Sequence, residues 1–166
     1  MAGVLVNVSV GAVSLKHKRE VEPGTPAPQV RLNVCRTLTD AGIGCGVLMA
    51  PILPYLTDSP SRLDATVQAI AEAGARSVTP LVLHLRPGAR EWYLGWLERA
   101  HPGLVPRYRE LYAGGAYAPK AYQRSICAQV ADLARHYHVG AGTPKRTTRR
   151  RSGGERAMTR TGSVAE

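Results

Sequence analysis

The amino-acid sequence predicts an α/β protein built on a parallel sheet. Three short segments are nearly apolar throughout, as expected for strands buried on both faces: Val4–Val10, Cys45–Ile52 and Ser77–Leu85. Segments with helical periodicity separate them, and the strands begin roughly 40 and 30 residues apart, a spacing typical of successive strand–helix–strand units. We therefore expect a βαβαβ core with right-handed crossovers.

The first helix is predicted to begin with Thr25 as its N-cap and Pro26 as its first residue, and to end at Gly42. Its expected apolar stripe consists of Val30, Val34, Leu38 and Ala41. The rigid loop Glu22–Pro28 leads into this helix, and it is either a structural connection or part of a binding site.

The second helix repeats this pattern, with Ser59 as N-cap, Pro60 as the first residue and Gly74 after the end. Its expected stripe consists of Leu63, Val67, Ile70 and Ala71. Three further helices are predicted near Pro87–Arg99, Leu104–Tyr112 and Lys120–His138. In the first of these, the residues predicted to pack in the core are Trp92, Tyr93, Trp96 and Leu97.

Composition predicts one folded domain followed by a basic tail. The chain has 166 residues, 44% of them hydrophobic, which excludes wholesale disorder, and only three cysteines, which excludes a disulfide scaffold. Half of the net charge of +10 lies in residues 139–166, with seven basic and two acidic residues. We expect residues 1–138 to fold and this Gly/Thr/Arg-rich tail to be disordered.

The sequence also predicts a cytoplasmic protein without a membrane partner. No apolar run reaches the ~20 residues of a membrane helix, and the N-terminus lacks a basic signal region.

A sheet of three strands that are apolar on both faces needs a covering layer on each face. The crossover helices cover one face only, so the second face needs a further layer. A half-barrel is the architecture that this pattern favours.

Candidate binding residues follow the strands, because the chemistry of parallel α/β folds lies at the carboxyl ends of strands. The loop Ala50–Asp58 follows the second strand. His84 and Arg86 leave the third strand at the same end. They are either a base and an anion clamp, or a hydrogen-bonded structural histidine and a surface arginine. Tyr117, in a glycine-rich link, is a candidate pocket-lining residue.

The cysteines predict core thiols rather than a metal site. Cys35, Cys45 and Cys127 show none of the short spacings of zinc or iron–sulfur ligands.

Several segments resemble the later half of a radical SAM protein of the spore-photoproduct-lyase-like (DNA-repair-photolyase-like) group. The matching segments, in order between Val4 and His138, are Asn7–Gly11, Glu22–Pro26, Ala41–Pro54, Thr79–Gly88, Leu104–Tyr112 and Gly115–Lys120. The resemblance implies strands four to six of a partial (β/α)6 TIM-type barrel.

In that family a [4Fe-4S] cluster reduces S-adenosylmethionine, and the resulting 5′-deoxyadenosyl radical abstracts hydrogen from the substrate. The C-x-x-x-C-x-x-C motif that holds the cluster is absent here. The resemblance therefore implies a C-terminal fragment or truncated paralogue that carries no cluster and is inactive by itself. Whether the chain acts as an enzyme is left open.

The resemblance also assigns positions in the site. It places Ser9 and Ala50 beside S-adenosylmethionine, and His84, Arg86 and Tyr117 on the substrate side.

Two alternatives stay open. A small basic nucleic-acid-binding protein would contact phosphates through Arg146–Arg151, although no aromatic residues interleave these charges and a solvated tail is the competing explanation. A non-catalytic half-barrel would instead pair with itself or with a separately encoded first half.

Overall fold

A computed structural model describes residues 5–11 and 26–142 of the protein. The helices and strands in these ranges are β1 (Leu5–Val10), α1 (Pro28–Asp40), β2 (Gly44–Ile52), α2 (Pro60–Glu72), β3 (Ser77–Val82), α3 (Ala89–Ala100), α4 (Val105–Leu111), α5 (Lys120–His136) and β4 (Gly140–Ala141). A single 3₁₀ turn, Pro102–Leu104, precedes α4. The predicted α/β class is confirmed.

The strands form one sheet in the order β1-β2-β3-β4, and every neighbouring pair is parallel. The order follows the chain, without the reversal that creates a switch point in doubly wound sheets. In this register Ser9 of β1 lies opposite Leu48 of β2, which lies opposite Thr79 of β3.

One face of the sheet packs against α1, α2 and α5. Val47 and Met49 of the central strand β2 are buried in one cluster with Leu32 of α1, Leu63 of α2 and Ile126 of α5. These side chains are 4% exposed or less, so this layer is a closed hydrophobic core.

The prediction that the strands are apolar on both faces is correct only for β2, whose second face presents Gly46, Leu48 and Ala50. On β1 and β3 the second face includes the polar residues Asn7, Ser9, Ser77 and Thr79, which are half-buried or exposed. On β1 these residues alternate with valines that point toward the helices, and such alternation gives a strand with one face in the core. The sheet therefore has an apolar helix side and a second side of mixed polarity.

Glycine or histidine in the left-handed conformation ends α1, α2 and α5. Gly42, Gly74 and His138 have φ values of 77°, 75° and 57°. In each case the N–H of the following residue donates to the carbonyl five residues earlier, at 2.9, 3.4 and 2.8 Å. This is the Schellman arrangement, and it confirms the helix ends predicted at the two glycines.

The predicted start of α1 is wrong by two residues. The helix begins at Pro28 with Ala27 as its N-cap. Thr25, which the sequence favoured as the cap, lies outside the described residues.

The predicted apolar stripe of α1 is also on the wrong side. Val30 and Val34 are 51% and 48% exposed, whereas Pro28, Leu32 and Cys35 are buried against the sheet. Both sets are apolar at helical spacing, and the sequence does not say which of them faces the sheet.

The other helices agree better with the sequence. Ser59 occupies the N-cap position of α2 without a side-chain capping bond, Pro60 begins the helix, and Leu63, Val67 and Ile70 are buried as predicted. Helices α3 to α5 lie within two or three residues of their predicted bounds. Of the four residues predicted for the core of α3, Trp92 is 51% exposed and the rest are buried or nearly so.

The third strand ends earlier than predicted, at Val82 instead of Leu85. A fourth strand lies beyond residue 138, where the sequence predicted disorder: Val139 is buried, and Gly140 and Ala141 pair with β3. A Gly-Ala-Gly segment carries no strand signal of its own, so only its docking against β3 reveals it. Residues 143–166, the remainder of the predicted tail, lie outside the described residues.

A second core joins the loop after β2 to α3 and α4, and it is rich in tyrosine. Tyr108 donates to the carbonyl oxygen of Pro54 at 2.6 Å and lies 3.0 Å from the hydroxyl of Tyr93. Tyr112 donates to the carbonyl oxygen of Leu83 at 2.5 Å. These bonds fix the segments that follow β2 and β3 against the C-terminal helices.

Candidate functional site

A groove of about 370 Å³ lies at the carboxyl ends of β1, β2 and β3. Its lining residues are Ser9, Arg31, Ala50, Pro51, Leu81, Val82, Leu83 and His84. Three of the predicted site residues, from three different strands or strand ends, therefore share one surface. This end of a parallel sheet is where such folds bind ligands.

Ser9 and Ala50 form the centre of the groove. The Ser9 hydroxyl donates to the Ala50 carbonyl oxygen at 3.3 Å, which ties the end of β1 to that of β2. The peptide between Ala50 and Pro51 is cis. The serine oxygen retains its acceptor capacity for a ligand donor.

Arg31 is the groove residue that sequence reasoning missed. It is half-buried on α1, and its Nη1 donates to the carbonyl oxygen of Ser9 at 2.7 Å. Arg31 was missed because the wrong side of α1 was assigned to the sheet. With Leu32 and Cys35 facing the sheet, Arg31 lies on the side of the helix next to β1.

His84 and Tyr117 pair at the mouth of the groove. Their rings stack with centroids 5.6 Å apart and planes 25° apart, and their backbones form an isolated antiparallel bridge. Tyr117 is 58% exposed. The exposed ring of Tyr117 therefore lies next to His84, which lines the groove.

Arg86 is exposed and does not line the groove. The nearby Arg90 is more closely involved, because its Nη1 donates to the carbonyl oxygens of Tyr112 and Gly115 at 3.2 and 3.4 Å. Arg90 thereby holds the link that carries Tyr117. No sequence pattern indicates this role, since both acceptors are backbone groups.

The charge of the groove is one-sided. Its eight lining residues contain one guanidinium, one imidazole and one hydroxyl, and none of the eight carries a carboxylate. Such a surface favours an anionic group on the ligand, because Arg31 has N–H donors beyond the one that Ser9 accepts.

A tyrosine of α5 and the tyrosine that follows its last residue anchor the helix against the start of α2. Tyr122 donates to the carboxylate of Asp58, and Tyr137 donates to Oδ1 of Asp64 at 2.9 Å. Burial, together with the Asp58 carboxylate, raises the pKa of Tyr122 above its usual value. These bonds support the fold beside the groove rather than forming part of its lining.

The cysteines lie away from the groove. Cys35 and Cys45 are adjacent in the helix-side core, where burial and the neighbouring Cys45 raise the pKa of Cys35 to about 12. Cys127 on α5 lines a separate groove of about 270 Å³ against β3 and β4. Within residues 5–11 and 26–142, no group of three or more His, Cys, Asp or Glu side chains is placed to hold a metal ion.

The fold and groove define an α/β protein with a sequentially ordered parallel sheet and a candidate ligand site at its carboxyl edge. No family model matches the chain. Uncharacterized proteins of Mycobacterium bovis and Mycobacterium tuberculosis are 47% identical to it over 136 residues, which is 82% of this chain and 39% of theirs. An uncharacterized protein of Acidianus two-tailed virus is 31% identical over 86 residues, 50% of this chain and 29% of that protein.

The chain thus spans about 39% of the length of its mycobacterial relatives. No solved structure matches it. In the part of the chain that the structure describes, no helix is long and apolar enough to cross a membrane.

Proposed function

We propose that this chain is the later half of a radical SAM-type barrel and that its groove is part of the wall that receives S-adenosylmethionine. The observation that carries the proposal is the convergence of Ser9, Ala50 and His84, matched to the family one by one, on a single groove. The sequential parallel order of the strands is compatible with this assignment.

The residues of the chain have separate tasks in this proposal. Arg31 and the Ser9 hydroxyl bind and orient the polar end of the cofactor, and the carbonyl of Ala50 faces its adenosyl part. His84 and Tyr117 form the substrate side, while Arg90 keeps Tyr117 in place. When it is bound beside a reduced cluster, S-adenosylmethionine supplies the chemistry that removes hydrogen from the substrate.

The cysteines of this chain do not fit an iron–sulfur cluster. Two are buried in the helix-side core and the third lies on α5, in a groove separate from that of Ser9. The cluster belongs to another stretch of polypeptide in this proposal, and the isolated chain generates no radical. A cytoplasmic location is part of the same proposal.

A chimera tests the proposal. In the Mycobacterium tuberculosis relative, the 136 matched residues are replaced by those of this chain, and both proteins are reconstituted with iron and sulfide without oxygen. With a strong reductant, both should release 5′-deoxyadenosine from S-adenosylmethionine, whereas this chain alone should not. The proposal would be overturned if the reconstituted relative bound no cluster and released no 5′-deoxyadenosine.

The groove is tested separately by variants of the chimera. Arg31→Met should weaken S-adenosylmethionine binding in equilibrium dialysis by roughly tenfold or more, the loss expected for a charged hydrogen bond. Trp92→Ala, an exposed substitution on α3 away from the groove, is the matched control and should leave binding unchanged.

Reading the DNA upstream of Met1 for a coded C-x-x-x-C-x-x-C is an inexpensive further test. The alternative function, nucleic-acid binding through Arg146–Arg151, concerns residues outside the described ranges.

A further inference from the structure

Tyr112, the C-cap residue of α4, bonds to distant segments through both its side chain and its backbone. It is fully buried. Its hydroxyl donates at 2.5 Å to the carbonyl oxygen of Leu83, a residue that lines the groove. Its own carbonyl oxygen accepts from Nη1 of Arg90 at 3.2 Å and from the N–H of Gly115 at 3.2 Å. One residue therefore joins the segment after β3 to the link that carries Tyr117.

The hydroxyl bond restrains the peptide that precedes His84. The carbonyl of Leu83 and the N–H of His84 belong to one planar unit, so a donor on that carbonyl oxygen limits how the unit can rotate. The N–H of Leu83 is also bonded, to the carbonyl oxygen of Ile52 at 2.9 Å. Although β3 itself ends at Val82, the backbone that leads to His84 is thus held from both sides.

A second set of bonds restrains the link before Tyr117. The N–H of Leu85 donates to the carbonyl oxygen of Ala116 at 2.7 Å, and that carbonyl shares a peptide plane with the N–H of Tyr117. The Nη1 of Arg90 bonds to this link as well as to the carbonyl oxygen of Tyr112. Short chains of hydrogen bonds therefore connect Tyr112 to the backbone of both residues of the stacked pair.

We propose that Tyr112 is a positioning residue that fixes the His84–Tyr117 pair at the mouth of the groove. In the described part of the chain neither ring makes a side-chain hydrogen bond, so their mutual orientation depends on the backbone that carries them. This inference rests on the proposed function for the assignment of the pair to the substrate side. It concerns the geometry of the pair and not the chemistry of the groove.

The neighbouring tyrosines of this core have other acceptors. Tyr108, one turn before Tyr112 on α4, donates to the carbonyl oxygen of Pro54, and Tyr93 bonds to Tyr108. Both are buried, with exposures of 0% and 3%. The three phenols are thus alike in burial, and of these three hydroxyls only that of Tyr112 bonds to the backbone of a groove residue.

Proton NMR of the full 166-residue chain tests the proposal without cofactor or substrate. An aromatic ring shields protons that lie over its face, so the ring protons of His84 should resonate upfield in the parent protein. His84→Gln identifies these signals, and Tyr117→Leu gives the shift without shielding. Tyr112→Phe keeps the buried ring and removes the hydroxyl, which leaves the Leu83 carbonyl without this donor. We expect it to lose most of the shielding.

Tyr93→Phe is the matched control. It also removes one buried tyrosine hydroxyl from the same core, and it should leave the shielding of His84 unchanged. Urea denaturation should show that both variants lose stability, so a difference in shielding between them reports position and not loosening of the core.

Arg90→Met tests the other side of the arrangement. It removes the bonds to the Tyr112 carbonyl and to the link while every tyrosine hydroxyl of the core stays in place. The shielding of His84 should fall here too. This variant decides the question if Tyr112→Phe does not fold.

Binding of S-adenosylmethionine supplies a readout at the opposite wall of the groove. In the chimera with the Mycobacterium tuberculosis relative, Tyr112→Phe should change the dissociation constant by no more than about twofold, because the Ser9 hydroxyl and Arg31 keep their contacts. A loss as large as that expected for Arg31→Met would mean that the whole groove is distorted, which contradicts a role confined to the pair.

Three NMR results would also contradict the proposal. The first is an unshielded His84 in the parent protein, because the rings would then not be stacked in solution. The second is shielding that survives both Tyr112→Phe and Arg90→Met. The third is an equal loss of shielding in Tyr112→Phe and Tyr93→Phe.

The outcome is separable from that of the proposed function. Loss of shielding in Tyr112→Phe, together with a chimera that releases no 5′-deoxyadenosine, contradicts the chemistry alone. A chimera that releases 5′-deoxyadenosine, while Tyr112→Phe leaves His84 shielded, contradicts the positioning role alone.

Discussion

At the scale of single residues, the tyrosines of the second core have the most demanding environment. Tyr108 is fully buried, and its hydroxyl donates its one proton to the carbonyl oxygen of Pro54. In its bond with Tyr93 the Tyr108 oxygen is therefore the acceptor. Burial raises the pKa of Tyr93 to about 12 and raises that of Tyr108 further. One hydroxyl thus satisfies two otherwise unpaired buried groups.

Tyr108→Phe should lower the free energy of unfolding by about 2 kcal/mol, because the Pro54 carbonyl and the Tyr93 hydroxyl each lose a buried partner. Urea denaturation measures the change. Tyr117→Phe, on a residue that is 58% exposed, is the control and should stay within about 0.5 kcal/mol of the parent protein. Equal effects of the two substitutions would show that the Tyr108 bonds contribute little.

The site shows which residues a sequence can and cannot reveal. Ser9 and Ala50 lie near the carboxyl ends of β1 and β2, and His84 follows β3, so the parallel sheet brings them to one edge. Arg31 and Arg90 act through backbone carbonyls of distant segments, and no sequence pattern records those acceptors. Arg86, the predicted anion clamp, is exposed and lies outside the groove lining.

At the scale of elements, the glycines that end α1 and α2 have the same conformation but different surroundings. Gly42 and Gly74 have φ values of 77° and 75°. A Cβ atom at Gly42 would meet nothing within 4 Å, whereas one at Gly74 would lie 3.0 Å from Cγ2 of Thr39. The second helix end is therefore also a packing contact between α1 and α2.

Gly42→Ala should destabilise the protein by about 1 kcal/mol through left-handed strain alone, and Gly74→Ala should cost more. Thermal unfolding of both variants measures the difference. Adding Thr39→Ser to Gly74→Ala removes the crowding methyl group and should recover the excess. Equal losses at the two glycines would show that the Thr39 contact is relaxed easily.

Helix α1 shows why the presence of a helix is easier to predict than the side of the helix that is buried. Its existence and its C-terminal glycine are encoded locally, and both were predicted, although its start was placed two residues too early. Its buried side depends on which apolar set meets the sheet, and Leu32 and Cys35 meet it while Val30 and Val34 stay exposed. The same ambiguity hid Arg31.

At the scale of the whole molecule, two cores meet: one between the sheet and α1, α2 and α5, the other between the C-terminal helices and the loops after β2 and β3. The second core contains Tyr93, Tyr108 and Tyr112, and burial raises the pKa of each. Tyr122 packs against both cores and has a raised pKa as well.

These shifts predict alkaline unfolding. In the unfolded chain tyrosine titrates near pH 10, so between about pH 10 and 12 the folded protein binds more protons than the unfolded one. The stabilisation is complete below that range and is lost as the pH rises through it. Tyrosinate absorbance and the loss of near-ultraviolet circular dichroism should therefore rise together. Complete tyrosinate formation with intact circular dichroism would contradict this.

The basic tail, residues 143–166, provides a further prediction about the whole molecule. If the alternative function holds, the chain should bind duplex DNA with an affinity that falls steeply between roughly 50 and 200 mM salt, and deleting residues 143–166 should abolish binding. The deletion begins at 143 because Val139 and the β4 pair Gly140–Ala141 belong to the fold. Binding that survives the deletion would refute the tail as the contact.

The sequence by itself determined the α/β class, the three main strands and the helices with their capping glycines. These depend on local patterns of apolar residues and on turn chemistry, which are written in consecutive positions. Ala50 and His84 were also predicted from their places at strand ends, whereas Ser9 was assigned by the family resemblance alone. The tertiary structure decided the fourth strand, the orientation of α1 and the roles of Arg31 and Arg90. Each of these depends on which distant segments pack together, because burial and hydrogen-bond partners are properties of the assembled chain.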